Sequence, residues 1–378
     1  MHKDLSRRTL LAGAAAAVAA PMINTATFAA PLSSTGRRYD RRVVDLVRES
    51  MIVDMLGPLS ILSAPEDWSG RATPKFAADI RHAGITAFHS AVGLGGTDAY
   101  ASALRYFLSW GGYVGRNDDL FLLVDKADDL DRAKRTGKAA VILGLQNSDH
   151  FRAVDDVKSF YQLGQRCSQL TYNSQNRLGS GSTDRVDGGV SDYGQAIIGA
   201  MNDVGMLVDV SHSGDRTTLD GIALSKVAIA FTHSNCRALS GHPRTKTDEA
   251  IKALGAKGGV MGITGVRMFV KAAEPTGIGD VVDHIDHVVK LIGIEHVGIG
   301  TDADLYGYDQ LPPAAIAAIK ANYKSSYAFR DKIDIEAFSG PDKMYNLVEE
   351  LVRRSYSNEN VRAVLGGNFR RLLGETWK

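Results

Sequence analysis

Two histidines carry the main chemical signal in this sequence. His212 closes the run Leu207-Val208-Asp209-Val210-Ser211-His212, and His233 stands in Thr232-His233-Ser234, at the end of the next apolar run. Asp302 holds a matching place in Thr301-Asp302-Ala303-Asp304. Two imidazoles and a carboxylate at matching depth suit zinc, which takes nitrogen and oxygen ligands, or acid–base work in which the carboxylate moves the proton. Gln146-Asn147 and Tyr172-Asn173 end two further runs, and Arg244 follows His242-Pro243. A guanidinium there is either a surface group or a clamp shaped for a substrate carboxylate. Each residue also has a structural reading. A lone strand-end histidine is more often a satisfied hydrogen-bonding group than a ligand, and Asp302 could cap a following helix. Two histidines on neighbouring strand ends favour the chemical reading. His89 ends another run and could face the same mouth. His284 and His287, three apart in a helical pattern, and His296, just before an apolar run, read as structural.

Short apolar runs alternate with helical patterns along most of the chain. Strands are expected at Met51–Asp54, Ile85–His89, Ala139–Leu145, Cys167–Thr171, Met206–Val210, Val227–Thr232, Gly259–Ile263 and Val297–Gly300. Their nearly continuous hydrophobicity suits parallel strands buried on both faces. Amphipathic stretches lie between them, among them Asp192–Val204, Arg216–Leu224 and Asp280–Leu291. Asp192 and Asp280 sit where a helix N-terminus favours an acid. Eight strands alternating with helices predict an α/β fold, a closed (β/α)8 TIM barrel, with an open doubly wound sheet as the alternative. In such a barrel the C-terminal strand ends form the active-site mouth, where His212, His233 and Asp302 fall. Gly93-Leu94-Gly95-Gly96 lacks the full dinucleotide-binding fingerprint. The tail from Ser357 to Lys378 reads as a helix pair broken at Gly366-Gly367-Asn368.

The 378 residues are 44% hydrophobic and 23% charged, with a formal net charge of +1 and no block of like charge. That balance gives no sign of nucleic acid or an anionic membrane as partner and favours a small-molecule or peptide ligand. Residues 1–30 differ from the rest. Ser6-Arg7-Arg8-Thr9-Leu10-Leu11 opens an Ala-rich apolar run that ends near Pro21, and small residues follow at Ala29-Ala30. This is the pattern of a signal peptide, and the paired arginines point to twin-arginine export into the periplasm or medium. An apolar run of about a dozen residues is short of the ~20 that span a bilayer, so no stable membrane span is expected. Cleavage would remove Lys3, Asp4, Arg7 and Arg8 and leave a net charge of −1. The remaining residues, 31–378, read as a single barrel domain. Cys167 and Cys236 are expected to be free thiols.

Several of these segments resemble the renal-dipeptidase, or membrane dipeptidase, family. The resemblance rests on Leu207 to His212, on Thr232-His233-Ser234 with Arg237-Ala238-Leu239, and on His242-Pro243-Arg244. It continues in Lys257-Gly258-Gly259-Val260-Met261, in His296 to Asp302, and in Leu365-Gly366-Gly367-Asn368-Phe369. It runs from about Met51 to the C-terminus and implies an amidohydrolase-like (β/α)8 barrel, a small peptide or amide substrate and a homodimer with no interface located. In that family two zinc ions share a glutamate. By resemblance, His212 and His233 fall on zinc histidines, Asp302 on the proton shuttle and Arg244 on the substrate-binding arginine.

Other positions depart from the pattern. The His-x-Asp pair of the first strand is replaced by Leu56 and Pro58, the bridging glutamate by Gln146, and the substrate-orienting histidine by Tyr172. The resemblance therefore implies a metal-dependent hydrolase with one zinc ion rather than two, or none. Its ligands would be His212 and His233, with Gln146 or Asp302 and water completing the set, and Tyr172 could donate to the oxyanion. Two alternatives stay open. One is a barrel enzyme with metal-free acid–base chemistry, such as a lyase or isomerase. The other is a non-catalytic exported binding protein, suggested by Leu56 and Pro58 at two ligand positions.

Overall fold

Nine parallel strands make one sheet: β1 (Val53–Asp54), β2 (Ala87–Val92), β3 (Phe121–Leu123), β4 (Ala139–Leu145), β5 (Gln165–Gln169), β6 (Leu207–Asp209), β7 (Ala230–Ser234), β8 (Val260–Ile263) and β9 (Val297–Ile299). They come from a computed structural model that describes residues 36–59 and 68–378. The export signal expected over residues 1–30 lies outside those residues. β1 pairs with both β2 and β9, and β2 pairs with β4 from Ala87↔Ala140 to Val92↔Leu145, so eight strands close into a barrel. The open-sheet alternative is thereby excluded. β3 was not anticipated. It pairs with the first half of β4 (Phe121↔Ala139), while β5 takes the second half (Leu145↔Ser168), leaving β3 outside the ring.

Alternate strand residues feed two cores. Val141, Leu143, Phe231, Met261 and Ile299 pack outward against the helices. Among those helices, Asp192–Val204 buries Ile197, Ile198 and Met201, and Ser191 caps it by accepting from Gly194 N. Val53, Ala87, Ala140, Leu207, Ala230 and Val260 instead join an inner cluster with Phe369, Leu372, Leu373 and Trp377. Those strand residues lie at or near the N-terminal strand ends, so the C-terminal helix Asn368–Thr376 forms a floor under the barrel. Gly366 makes this possible: its Cα lies so close to Met51 O and Val53 N that any Cβ would collide with backbone.

With the floor apolar, polar strand residues collect at the opposite end. There the chain after β9 folds back as a roof, with the helix Pro313–Ala321 and short turns at Ser325–Tyr327 and Glu336–Phe338. Tyr327 and Ile333 of the roof pack with Val266, Met268 and Phe269 from the loop after β8. Cys167 and Cys236 are both buried and free. Among the described residues no helix is long and apolar enough to cross a membrane.

Candidate active site

His212 and His233 meet at the mouth. Their Nε2 atoms lie 2.9 Å apart, and both rings are buried. What the other ring nitrogen does fixes the state of each. Asp209, at the end of β6, accepts from Ser211 Oγ and Thr232 Oγ1, each at 2.6 Å, and from the backbone amides of both residues. The single proton of Thr232 Oγ1 is thus committed to Asp209. Its oxygen can only accept from His233 Nδ1, 2.8 Å away. His233 Nε2 is left with a lone pair. His212 Nδ1 lies 2.7 Å from the Asn173 side-chain amide; with Oδ1 facing the ring it donates, which leaves a lone pair on its Nε2 as well. Burial, then the positive charge of Arg244, holds both imidazoles well below their usual pKa, so both are neutral.

Asp302 follows β9 with a left-handed backbone (φ 57°), its amide held by Leu56 O at 2.8 Å. It caps no helix. Burial pushes its carboxyl up to about 7 against the opposing pull of Arg244, with Asp54 adding to the rise. The carboxyl faces a chamber of about 70 Å3 that Gln146, Tyr172 and His212 also line. Gln146 Nε2 donates to Ala91 O at 3.1 Å. Tyr172 stacks on His212, ring centroids 4.3 Å apart, and its hydroxyl meets Tyr323 Oη at 2.6 Å. Burial holds the Tyr172 phenol well above its usual pKa, so it stays a donor.

Arg244 departs from the clamp suggested by its sequence position. It is 1% exposed, and its guanidinium donates to the carbonyls of Ser211 and His233 and lies against the Tyr327 hydroxyl. It stands behind the chamber wall, not on it. Lys246 is another buried cation nearby, donating to Val210 O, Ser213 O and Thr218 Oγ1, with its pKa pushed down to about 7 chiefly by burial. His89 lies in the barrel interior, Nδ1 bonded to Met55 O at 2.6 Å and Nε2 without a partner among the described residues. His284, His287 and His296 bond to Val270 O, Asp248 and Gly259 O and lie outside the mouth.

Sequence reasoning did not assign Thr232 and Asp209, which fix the tautomer, or Asn173. Nor did it find the roof aromatics Tyr308, Tyr323 and Tyr327, which line the chamber with Phe269. The cluster Tyr323, Tyr327 and Phe329 was the available signal, since aromatics spaced four and two apart after a barrel strand seldom all face water.

Residues 74–313 match the family profile described as membrane dipeptidase, Peptidase family M19. The chain is similar to dipeptidase verJ of Clonostachys rogersoniana, 29% identical over 263 residues, which are 69% of this chain and 61% of that protein. It is also similar to an uncharacterized dipeptidase of Schizosaccharomyces pombe, 32% identical over 270 residues, with coverage of 69% and 58%. The chain thus spans less than two thirds of the length of these curated relatives. An amidohydrolase from Pseudomonas aeruginosa has a similar structure, with a TM-score of 0.76 and 28% identity over 89% of this chain and 99% of that one. With well over half of its residues inside the profile and the barrel to match, the chain belongs to the membrane dipeptidase family, Peptidase family M19.

Proposed function

We propose that this chain hydrolyses the amide bond of a dipeptide or related small amide beside His212, His233 and Asp302, with one zinc ion rather than two. The observation that carries the reading is the 2.9 Å approach of two Nε2 atoms whose ring partners leave a lone pair on each. Two lone pairs so close repel unless a positive centre lies beside them. The donor set limits the number of ions. Leu56 and Pro58 offer no side-chain donor and Gln146 is neutral, so a two-zinc centre does not fit these residues. His212 and His233 suit one ion; the Gln146 amide or the Asp302 carboxylate, on the chamber wall with His212, would have to move in as a third donor. A bound zinc ion supplies Lewis acidity and brings the pKa of water to about 7.

The protein groups do the rest. Asp302, with a pKa of about 7, takes the proton of the water that attacks the carbonyl carbon. It returns that proton to the amine as the C–N bond breaks. The Tyr172 phenol, once turned from Tyr323, donates to the carbonyl oxygen as negative charge builds there. Zinc content of the purified chain, before and after His212→Ala, together with hydrolysis of a dipeptide panel, tests the proposal. One zinc per chain, lost in the variant together with hydrolysis, is expected. No zinc and no hydrolysis would sink it.

A second reading has its own support. Turning the Asn173 amide over lets Nδ2 donate to His212 Nδ1, and His212 Nε2–H then donates to His233. The result is a hydrogen-bonded chain from Asn173 to the Asp209 carboxylate in which both imidazoles are neutral and no cation is needed between them, as metal-free acid–base chemistry requires. Among the described residues no three His, Cys, Asp or Glu side chains cluster as for a metal. Activity that survives chelation but is lost in His233→Ala favours this reading. We further propose that residues 1–30 direct twin-arginine export. Replacing Arg7 and Arg8 with lysine should leave the chain in the cytoplasm.

A further inference from the structure

The chamber encloses about 70 Å3, whereas cavities that take small ligands run from ~300 to 1,000 Å3. A few waters fit; a dipeptide does not. Beyond one wall lies a cleft of about 410 Å3, lined in part by Asn173, Ser174, Thr183, Asn322 and Lys324. Tyr172, Ile319, Tyr323 and Tyr327 face both spaces. The hydroxyl bond between Tyr172 and Tyr323, 2.6 Å long, closes the partition.

Its two sides are held unequally. Tyr172 is fixed by stacking on His212, and its ring packs so closely on Gly93 that a Cβ there would lie 3.0 Å from it. Tyr323 follows the roof helix Pro313–Ala321, no residue of which is buried. Tyr323 itself rests on the Tyr327 and Phe329 rings, centroids 4.6 and 5.1 Å away, and the adjoining tie, Lys324 Nζ to Thr183 O at 3.1 Å and to Asp184 Oδ1 at 3.5 Å, is on the surface. An element with little buried apolar surface and exposed ties opens at low cost.

We propose that Tyr323 is a gate and specificity residue. When its bond to Tyr172 opens, chamber and cleft become one site, and the substrate lies across both. The nature of that substrate rests on the hydrolase reading. Its scissile amide enters the chamber, where Val266, Phe269 and Ile333 accept an apolar group. Its polar, carboxylate-bearing end stays in the cleft, where Lys324 is the one charged residue among the described residues of the wall.

Diethyl pyrocarbonate, which acylates neutral imidazole nitrogens, reports the opening without a substrate. The chelator-treated full chain would be modified, and His212 and His233 followed by peptide mass spectrometry against His287, which lies outside the site. Slow modification is expected in the wild type. Tyr323→Phe, which removes only the hydroxyl bond, should speed it roughly five- to tenfold, and Tyr323→Ala more. Wild-type rates in both variants would overturn the gate. Should Tyr323→Ala fail to fold, Tyr323→Phe keeps the ring packing and decides alone. Faster modification in a protein that cleaves no dipeptide keeps the gate and removes the hydrolase reading. Cleavage without faster modification does the reverse.

Discussion

Thr232 decides which nitrogen of His233 is left bare toward His212. Its hydroxyl proton belongs to Asp209, so its oxygen draws Nδ1–H and leaves Nε2 bare. Thr232→Val keeps the shape and removes the acceptor; Thr232→Ser restores it. In the metal-free protein, 15N NMR should show His233 as the Nδ1–H tautomer in wild type and Thr232→Ser but not in Thr232→Val. Zinc affinity should fall about 10- to 100-fold in the valine variant, the usual effect of losing a partner behind a ligand. Asp302 makes a second prediction. Its folded pKa of about 7 lies above the ordinary 3.8. Between those values the native state keeps a proton that the unfolded chain has released, so this group makes stability fall as pH rises from about 4 to 7. Asp302→Asn should flatten that slope in chelated protein, as read by urea midpoints across the range. An unchanged slope would mean that Asp302 is not desolvated. That His212 meets His233, and that Gln146 and Asp302 share a chamber with His212, follows from barrel topology, which brings strand ends together. The place of Arg244 was not legible in the sequence, because a guanidinium that could point outward also has carbonyls to bind within.

At the scale of elements, hydrophobic runs gave the strand positions. β4 matches its expected span at both ends, and so does the helix Asp192–Val204. Elsewhere the boundaries moved by up to three residues. β7 starts at Ala230 and not Val227, because apolar residues lead into a strand before its ladder begins. β3 escaped notice because three residues outside the ring leave little pattern. The roof did too, since Pro313–Ala321 has no buried face to set a period. The close packing of β2 and β4 is sharply testable. A Cβ on Gly144 would strike the His89 ring and the backbone of β5. Gly144→Ala should therefore cost about 1–3 kcal/mol, the range for overpacking, measured as a lower urea midpoint at unchanged slope.

The whole molecule is a ring built from distant parts. The pairing of Asp54 with Ile299 joins its first and last strands, and Lys343, buried, stands 3.5 Å from Asp54 to tie that seam to a later helix. Phe369 lies fully buried beneath it. Phe369→Ala should cost roughly 3–5 kcal/mol by thermal or chemical unfolding, while leaving the chemistry at the opposite end intact if the chain stays folded.

That floor also sets an order of events during synthesis. The residues that seal the barrel's underside follow every strand in the chain, so a nascent chain has no finished interior until they have emerged, however many strands have paired. Any product cut short before Phe369 carries an oily socket open to water. Such fragments should bind hydrophobic dyes and be cleared by proteases, which makes the floor helix a checkpoint between translation and a durable fold.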